Sequence, residues 1–224
     1  KLFQSITDVV NPQGILAVVE KGDNSDNIDY KEDIILALDG IQDPGNLGTI
    51  LRTVDSANLK QIILTADCAD PYNPKVVRST MGAIFRINMI TTDNLSKTLQ
   101  TVKKHKFEVM ATSLEATKSI YEVDYCKKVI VIGNESKGVS KEIQDMSGVK
   151  VKIPMLGKTE SLNASVAASI MIYEYVRGKC QTNIWHFFVC MLLLYRIKKI
   201  LRRDEICQEK QKTQQQLIKE KKQF

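Results

Sequence analysis

The sequence has little of what holds a metal ion or a disulfide framework. Its 224 residues include two histidines, His105 and His186, and neither lies in a recognisable motif. Disulfide scaffolds and structural zinc sites depend on paired, closely spaced cysteines. The five cysteines are odd in number, include no C-x-x-C pair, and are Cys68, Cys126, Cys180, Cys190 and Cys207. We therefore expect free thiols in a reducing cytoplasm and no metal site.

The sequence also lacks an apolar run long enough to cross a membrane. The longest, Trp185–Tyr195, has eleven residues and contains His186, whereas a spanning helix takes about 20. Residues 1–20 lack the charged and then apolar layout of a signal peptide. Because the first residue is Lys1 rather than Met, we expect the chain to be a fragment of a longer protein.

The formal net charge of +6 is unevenly distributed. Residues 178–224 hold 11 Lys and Arg against 4 Asp and Glu, whereas residues 1–177 hold 21 against 22. Bulk charge therefore gives no reason for the body of the chain to bind nucleic acid. The basic end, apolar at first and then rich in Gln, Lys and Glu, is predicted to be an appended tail. It is either an amphipathic helix on a partner or membrane surface, or a disordered or non-native extension.

What is present is the composition of an ordinary globular domain, with 43% hydrophobic and 26% charged residues. Short β-branched runs alternate with helix-length patterns, which predicts an α/β fold with a mostly parallel sheet flanked by helices. The predicted strands are Gly14–Glu20, Ile34–Leu38, Gln61–Thr65, Phe107–Ala111, Val129–Ile132 and Val149–Ile153. The predicted helices are Leu47–Ala57, Pro74–Thr80, Leu95–His105, Ser140–Asp145 and Leu162–Arg177.

Ligands of such sheets gather at the carboxyl ends of the strands, so the loops after three strands matter most. In the first loop, Pro44-Gly45 predicts a tight turn, Asn46 is the expected N-cap, and Arg52 lies on the helix that follows. A capped helix with a surface arginine is the plainer alternative. The spacing PGNLG matches neither the dinucleotide-binding fingerprint nor the P-loop.

The second loop, Gly133–Ser140, has glycines near both ends and carries Glu135 at the edge of the sheet. An ordinary strand-to-helix turn is again the alternative. In the third loop, Pro154 ends a strand and a helix of small residues follows Ser161. This serine lies in no G-x-S-x-G elbow and has no histidine nearby in the sequence, so a hydrolase nucleophile is not indicated.

Taken in order, the three loops resemble the motifs of the SpoU/TrmH-type RNA 2′-O-ribose methyltransferases of the SPOUT superfamily. DPGNLGTILRT is similar to the first motif, VIGNESKGVS to the second and IPMLGKTESLNASVAASIMIYE to the third. The resemblance covers about Asn11 to Arg177. NPQGILAVV also resembles the linker that follows a small RNA-binding domain. We therefore expect residues 1–33 to be the linker's end and first strand, residues 34–177 the catalytic domain, and residues 178–224 the tail.

The resemblance implies a C-terminal deep trefoil knot between about Val129 and Arg177, which is rare among folds. It also implies S-adenosylmethionine as cofactor, RNA as substrate with rRNA favoured over tRNA, and a homodimer through the helices of the first and third motifs. The positions that match catalytic residues are Asn46, Arg52, Glu135, Ser161 and Asn163. Those that match cofactor contacts are Thr112, Gly133, Ile153, Met155, Ser161 and Leu162.

A guanidinium is practically always charged, so Arg52 is not expected to act as a simple base. We expect Arg52, oriented by Glu135 and Asn46, to stabilise the developing alkoxide while a phosphate oxygen or a local base takes the proton. RNA would meet a local basic patch of Lys75, Arg78, Arg86 and Lys137. Two other classes stay open: a catalytically silent, knotted RNA-binding or assembly module, and an unrelated nucleotide-binding α/β protein.

Overall fold

The computed structural model describes residues 6, 12, 14–21 and 27–179. Most of the predicted tail, including the run Trp185–Tyr195 and His186, therefore lies outside the described residues, as does much of the predicted linker. No helix within the described ranges is both long enough and apolar enough to cross a membrane.

One parallel sheet forms the centre of the domain. Its strands are β1 (Ile34–Asp39), β2 (Gln61–Thr65), β3 (Asn88–Thr92), β4 (Glu108–Thr112), β5 (Lys118–Ser119), β6 (Lys128–Gly133) and β7 (Val149–Lys152). They lie in the order β3-β2-β1-β6-β4-β7-β5, and every neighbouring pair is parallel. The predicted parallel sheet is confirmed. Strands β2 and β3 lie on one side of β1, whereas β4 to β7 lie on its other side with β6 next to β1. The β1–β6 junction is therefore the switch point at which such sheets bind ligands.

Five helices cover the two faces of the sheet. They are α1 (Pro44–Ser56), α2 (Pro74–Thr80), α3 (Leu95–Lys104), α4 (Lys141–Met146) and α5, which comprises helical residues 164–179. Alternate residues of β1 point to opposite faces. Leu36 packs in the same cluster as Leu51 of α1 and Met171 of α5, whereas Ile35 packs in the cluster of Leu99 of α3. The result is a three-layer α/β domain with α1 and α5 on one side.

The first motif's helix begins earlier than its sequence suggested. Its N-cap is Asp43, whose carboxylate accepts a hydrogen bond from Asn46 N at 2.8 Å, and Pro44 occupies the first turn. The prediction that Asn46 is the N-cap is therefore wrong, because proline favours the first helical position and the aspartate before it is an equally good cap. Asn46 consequently keeps its side-chain amide free for other contacts.

The predicted strand Gly14–Glu20 is also wrong. These residues form no strand, and Ile15 and Val18 are 86% and 94% exposed. The run is β-branched, but no strand of the described sheet pairs with it, and propensity alone does not hold a strand. Two strands, β3 and β5, had not been predicted from the sequence.

Candidate functional site

The three motif loops meet at the carboxyl edge of the sheet. Asn46 Nδ2 donates a hydrogen bond to Glu135 Oε1 at 2.9 Å, which joins the first loop to the second. Asn163 Nδ2 donates to Asn46 Oδ1, also at 2.9 Å, which joins the third loop to the first. Residues that lie 89 and 117 positions apart are thereby linked in one cluster. Three of the five predicted catalytic residues are in direct contact.

Ser165, in the first turn of α5, determines the direction of these hydrogen bonds. Asn163 Oδ1 accepts from Ser165 N at 2.9 Å and from Ser165 Oγ at 2.7 Å, so its amide nitrogen must face Asn46. Asn46 then presents its oxygen to Asn163 and its nitrogen to Glu135. Because an amide has distinct donor and acceptor ends, one orientation is selected for both asparagines. The Glu135 carboxylate accepts the last hydrogen bond in this series, from Asn46 Nδ2.

The second loop is held by close backbone contact. An added Cβ at Gly133 would lie 2.0 Å from Gly138 C and from Val139 N, so only glycine fits. Asn134 and Gly138 form an isolated bridge, with N···O distances of 3.0 Å and 2.8 Å. Gly138 itself has a φ of +70°, a conformation that favours glycine. The wall of the site at this point is therefore backbone rather than side chain.

A cavity of about 420 Å³ lies beside the cluster, a size within the usual range of small-molecule sites. Glu135 lines both this cavity and the cluster. All six residues that match family cofactor contacts line it: Thr112, Gly133, Ile153, Met155, Ser161 and Leu162. Leu162 is 36% exposed at the mouth. A larger cavity of about 800 Å³ at the outer side of β3 is lined by none of the three motif loops.

Two predicted catalytic residues stand apart from the cluster. Ser161 lines the cavity but is exposed, and no hydrogen bond within the described chain ties it to Asn46, Glu135 or Asn163. Arg52 is exposed on α1, and its side chain makes no hydrogen bond or ion pair with any described residue. The expected orientation of Arg52 by Glu135 and Asn46 is therefore absent from the described part of a single chain.

Helices α1 and α5 lie side by side next to the cluster. Hydroxyl groups join them at two levels, Thr53 Oγ1 to Ser169 Oγ at 3.1 Å and Ser56 Oγ to Tyr173 OH at 3.2 Å. The outer surface of α5 exposes apolar side chains, including Val166 at 46% and Tyr173 at 50%. Arg52 projects from the neighbouring α1. Exposed apolar side chains thus lie on the helix that follows the cluster residue Asn163.

Two of the four residues in the predicted basic patch, Arg86 and Lys75, pair with carboxylates. Arg86 donates two hydrogen bonds from Nε and Nη2 to Asp55, at 2.9 Å and 2.7 Å, and this contact holds the pKa of the Asp55 carboxyl below its usual value. Lys75 Nζ lies 3.8 Å from Asp43 Oδ2 in an exposed pair. Arg78 and Lys137 are exposed. Within the described residues, no group of three or more His, Cys, Asp or Glu side chains is placed to hold a metal ion.

Sequence reasoning missed two residues that organise the site. Ser165 bonds to Asn163, and Asn134 lies at the base of the second loop. Ser165 could have been predicted from its position two residues after Asn163, the asparagine that caps α5. From that position a serine hydroxyl can donate a hydrogen bond to the side chain of the cap. The signal for Asn134 was an amide directly after a strand-ending glycine, a position typical of a side chain that caps its own loop.

Known proteins share this combination of fold and loops. Residues 33–173 match the model of the SpoU rRNA Methylase family. The 23S rRNA (guanosine-2′-O-)-methyltransferase RlmB of Bordetella pertussis is 36% identical over 174 residues, 75% of this chain and 71% of that protein. An uncharacterized tRNA/rRNA methyltransferase of Synechocystis sp. is 34% identical over 175 residues, 78% of this chain. The present chain spans 64% of that relative's length.

Solved structures agree with the sequence comparison. The AdoMet-bound rRNA methyltransferase from Sinorhizobium meliloti superposes with a TM-score of 0.62 at 35% identity, covering 65% of this chain and 56% of that one. The fold of the described domain is thus shared with an RNA methyltransferase. The chain belongs to the SpoU rRNA Methylase family.

Proposed function

We propose that this chain transfers a methyl group from S-adenosylmethionine to a ribose 2′-hydroxyl of RNA. The observation that carries the proposal is the cluster of Asn46, Glu135 and Asn163, which opens through Glu135 onto the cavity of about 420 Å³. Family membership and an AdoMet-bound relative support the same reaction. A site that holds a cofactor on one side and polar groups on the other suits group transfer between two bound substrates.

The cavity fits a nucleoside cofactor. Its walls combine apolar side chains such as Ile153 and Leu162 with backbone from Gly133 and Gly138. Such backbone groups would hydrogen-bond the edge of an adenine, and such apolar side chains would cover its faces. The gap between Gly133 and the chain at Gly138 and Val139 is too narrow for any side chain, so the wall keeps its shape whether or not the cavity is filled. When bound, S-adenosylmethionine supplies an electrophilic methyl group on a sulfonium.

The residues of the chain then act on the ribose. Methyl transfer forms an O–C bond at the 2′-oxygen, breaks a C–S bond and releases the hydroxyl proton. Asn46 and Asn163 hold the Glu135 carboxylate at the cavity mouth, and no hydrogen bond from a described residue reaches its Oε2 atom. That oxygen is therefore available to accept the proton. Arg52, which stays charged, stabilises the developing alkoxide and the adjacent phosphate.

Arg52 reaches the reacting oxygen in a homodimer. It makes no contact with Glu135 within the described chain, and it projects beside the exposed apolar surface of α5. A two-fold interface through α1 and α5 covers Val166 and Tyr173 and brings the arginine of one subunit to the cluster of the other. The unpaired position of Arg52 supports this arrangement.

The remaining assignments extend the same proposal. We assign rRNA rather than tRNA as the substrate and residues 34–177 as the catalytic domain. We also assign a C-terminal knot to this domain and the cytoplasm as the compartment of the protein. A preceding recognition domain and the exposed Arg78 and Lys137 would provide RNA contacts. The third loop leaves β7 and passes the ends of β4 and β6 to meet the first loop at Asn46, which supports a threaded C-terminal segment.

Methyl transfer from labelled S-adenosylmethionine to rRNA and tRNA tests the proposal directly. We expect Arg52→Ala to lower turnover by about 100-fold or more, because loss of one group that stabilises transition-state charge costs that much. Calorimetry should show nearly unchanged cofactor affinity. Arg52→Lys, which keeps the charge without the planar fork, should recover only part of the rate.

A matched control is Lys104→Ala, which removes an exposed cation from α3 on the other face of the sheet. It should leave turnover unchanged. Leu162→Arg should instead abolish cofactor binding, because it puts a charged side chain into the cavity. Normal turnover of Arg52→Ala would overturn its role. Cofactor binding without transfer to either RNA would favour the silent module.

A further inference from the structure

Asn134 uses its whole side chain to fasten the second motif loop. Its Nδ2 atom donates a hydrogen bond to the Gly40 carbonyl at 2.7 Å, which crosses from the end of β6 to the end of β1. Its Oδ1 atom accepts from Ser136 N at 2.9 Å and from Lys137 N at 3.1 Å. One side chain therefore ties the loop both to itself and to the neighbouring motif.

These contacts bracket Glu135 on both sides. Asn134 precedes it and also bonds through its backbone to Gly138, while Ser136 and Lys137 follow it and bond to the Asn134 side chain. Gly133 leaves the loop no room to move inward. The exposed Glu135 side chain has one described hydrogen-bond partner, Asn46. Its placement therefore depends on how firmly the backbone around it is held.

We propose that Asn134 is a positioning residue, which sets the loop so that the Glu135 carboxylate meets Asn46. It touches neither the reacting atoms nor Asn46 and acts through Glu135. This inference rests on the proposed methyl transfer and adds a residue that neither the motif resemblance nor the cluster had assigned.

Only an amide satisfies this position. Aspartate would retain the two acceptor contacts to Ser136 and Lys137, but it would replace the donor to Gly40 O with an oxygen, setting a negative charge against a carbonyl. The surroundings are already acidic, because Asp67 Oδ2 lies 3.0 Å from where a Gly40 Cβ would be. Alanine would remove every side-chain contact. Both changes free the loop, and the aspartate also adds repulsion.

Steady-state kinetics of Asn134→Ala and Asn134→Asp provide the test. Asn134→Asp loses one and Asn134→Ala loses all three side-chain hydrogen bonds that hold the loop. Loss of such positioning corresponds to a fall in kcat of about tenfold. The KM for RNA should change less than kcat, because of the two exposed cations proposed to contact RNA, Arg78 and Lys137, only Lys137 lies on this loop. Asn134→Asp should be no more active than Asn134→Ala. Asn94→Ala is the matched control, because Asn94 Oδ1 also accepts a hydrogen bond from backbone, Lys97 N, but lies outside the three motif loops. It should keep wild-type kcat.

A double-mutant cycle separates positioning from a merely structural role. In a Glu135→Ala background, Asn134→Ala should cause almost no further loss, because the group it positions is gone. A further tenfold loss in that background would overturn the inference. So would wild-type kcat in both Asn134 variants while Glu135→Ala is inactive. Full turnover of Glu135→Ala would instead contradict the proposed role of Glu135 itself, so the two failures are distinguishable.

Discussion

The geometry of the site depends on the orientation of two side-chain amides, those of Asn46 and Asn163. Motif resemblance identified Asn46, Glu135 and Asn163 as residues that belong together, and the structure places them in contact. It could not say that Ser165 fixes the orientation of Asn163, because that depends on the first turn of α5. The N-cap of α1 was wrongly predicted at Asn46 for a different reason: Asp43 and Asn46 are both good caps, and Pro44, which favours the first helical position, decides between them.

Asp55 offers a test of the described ion pair through pH. Hydrogen bonds from Arg86 hold the pKa of Asp55 below its ordinary value, so the folded protein binds a proton at this carboxyl less readily than the unfolded chain does. The resulting stability is complete above the unfolded pKa of about 3.9 and is lost as the pH falls through the lower folded pKa. Urea denaturation across this window should show a steeper loss for the wild type than for Asp55→Asn. Parallel curves would mean that the pair does not form in solution.

At the scale of elements, the sequence predicted the central strands and the longer helices but not the two strands at the edges of the sheet, β3 and β5. Strand β2 and helix α2 have the bounds predicted from the sequence, because each is a compact run between clear breakers. Strand β3 was missed because Asn88, Thr91 and Thr92 interrupt its apolar character, as is common at a sheet edge. Strand β5 has only two residues. Conversely, residues 14–20 have strand composition without a pairing partner among the described strands.

The contact between α1 and α2 is close enough to depend on one glycine. A Cβ at Gly48 would lie 2.4 Å from Ser79 Cβ and 3.0 Å from the Val76 carbonyl oxygen. Alanine gains about 1 kcal/mol in a helix interior, whereas overpacking costs about 1–3 kcal/mol. Neither neighbouring atom is the far end of a flexible side chain, so the cost should prevail. We expect Gly48→Ala to lower the free energy of unfolding by about 1 kcal/mol in chemical denaturation.

Gly178→Ala is the matched control for that experiment. Gly178 is also helical, and no atom of the described residues lies within 4 Å of an added Cβ. The same substitution should there leave stability unchanged or raise it by up to about 1 kcal/mol. A stabilised Gly48→Ala protein would show that α2 can move away from α1 at little cost.

At the scale of the whole molecule, the proposed dimer is tested through Val166. A charge at this exposed apolar position would be buried without a partner at a two-fold interface. We expect sedimentation velocity to show a dimer for the wild type and a monomer for Val166→Glu, with methyl transfer lost as well. Thr101→Glu, on exposed α3, should remain dimeric and active. A monomeric, fully active wild type would contradict the assignment of Arg52 to the partner's cluster.

The long sequence separation between the hydrogen-bonded loops also determines when the site can assemble during synthesis of the chain. Asn46 emerges 117 residues before Asn163, and β1 must wait for β6 to pair on its second side. Contacts of such high sequence separation form late and only after the intervening chain is available. Under the proposed function, a growing polypeptide on the ribosome should therefore neither bind the cofactor nor modify RNA until α5 has been made. Premature termination anywhere before that helix should then yield an inert product rather than a partly active one.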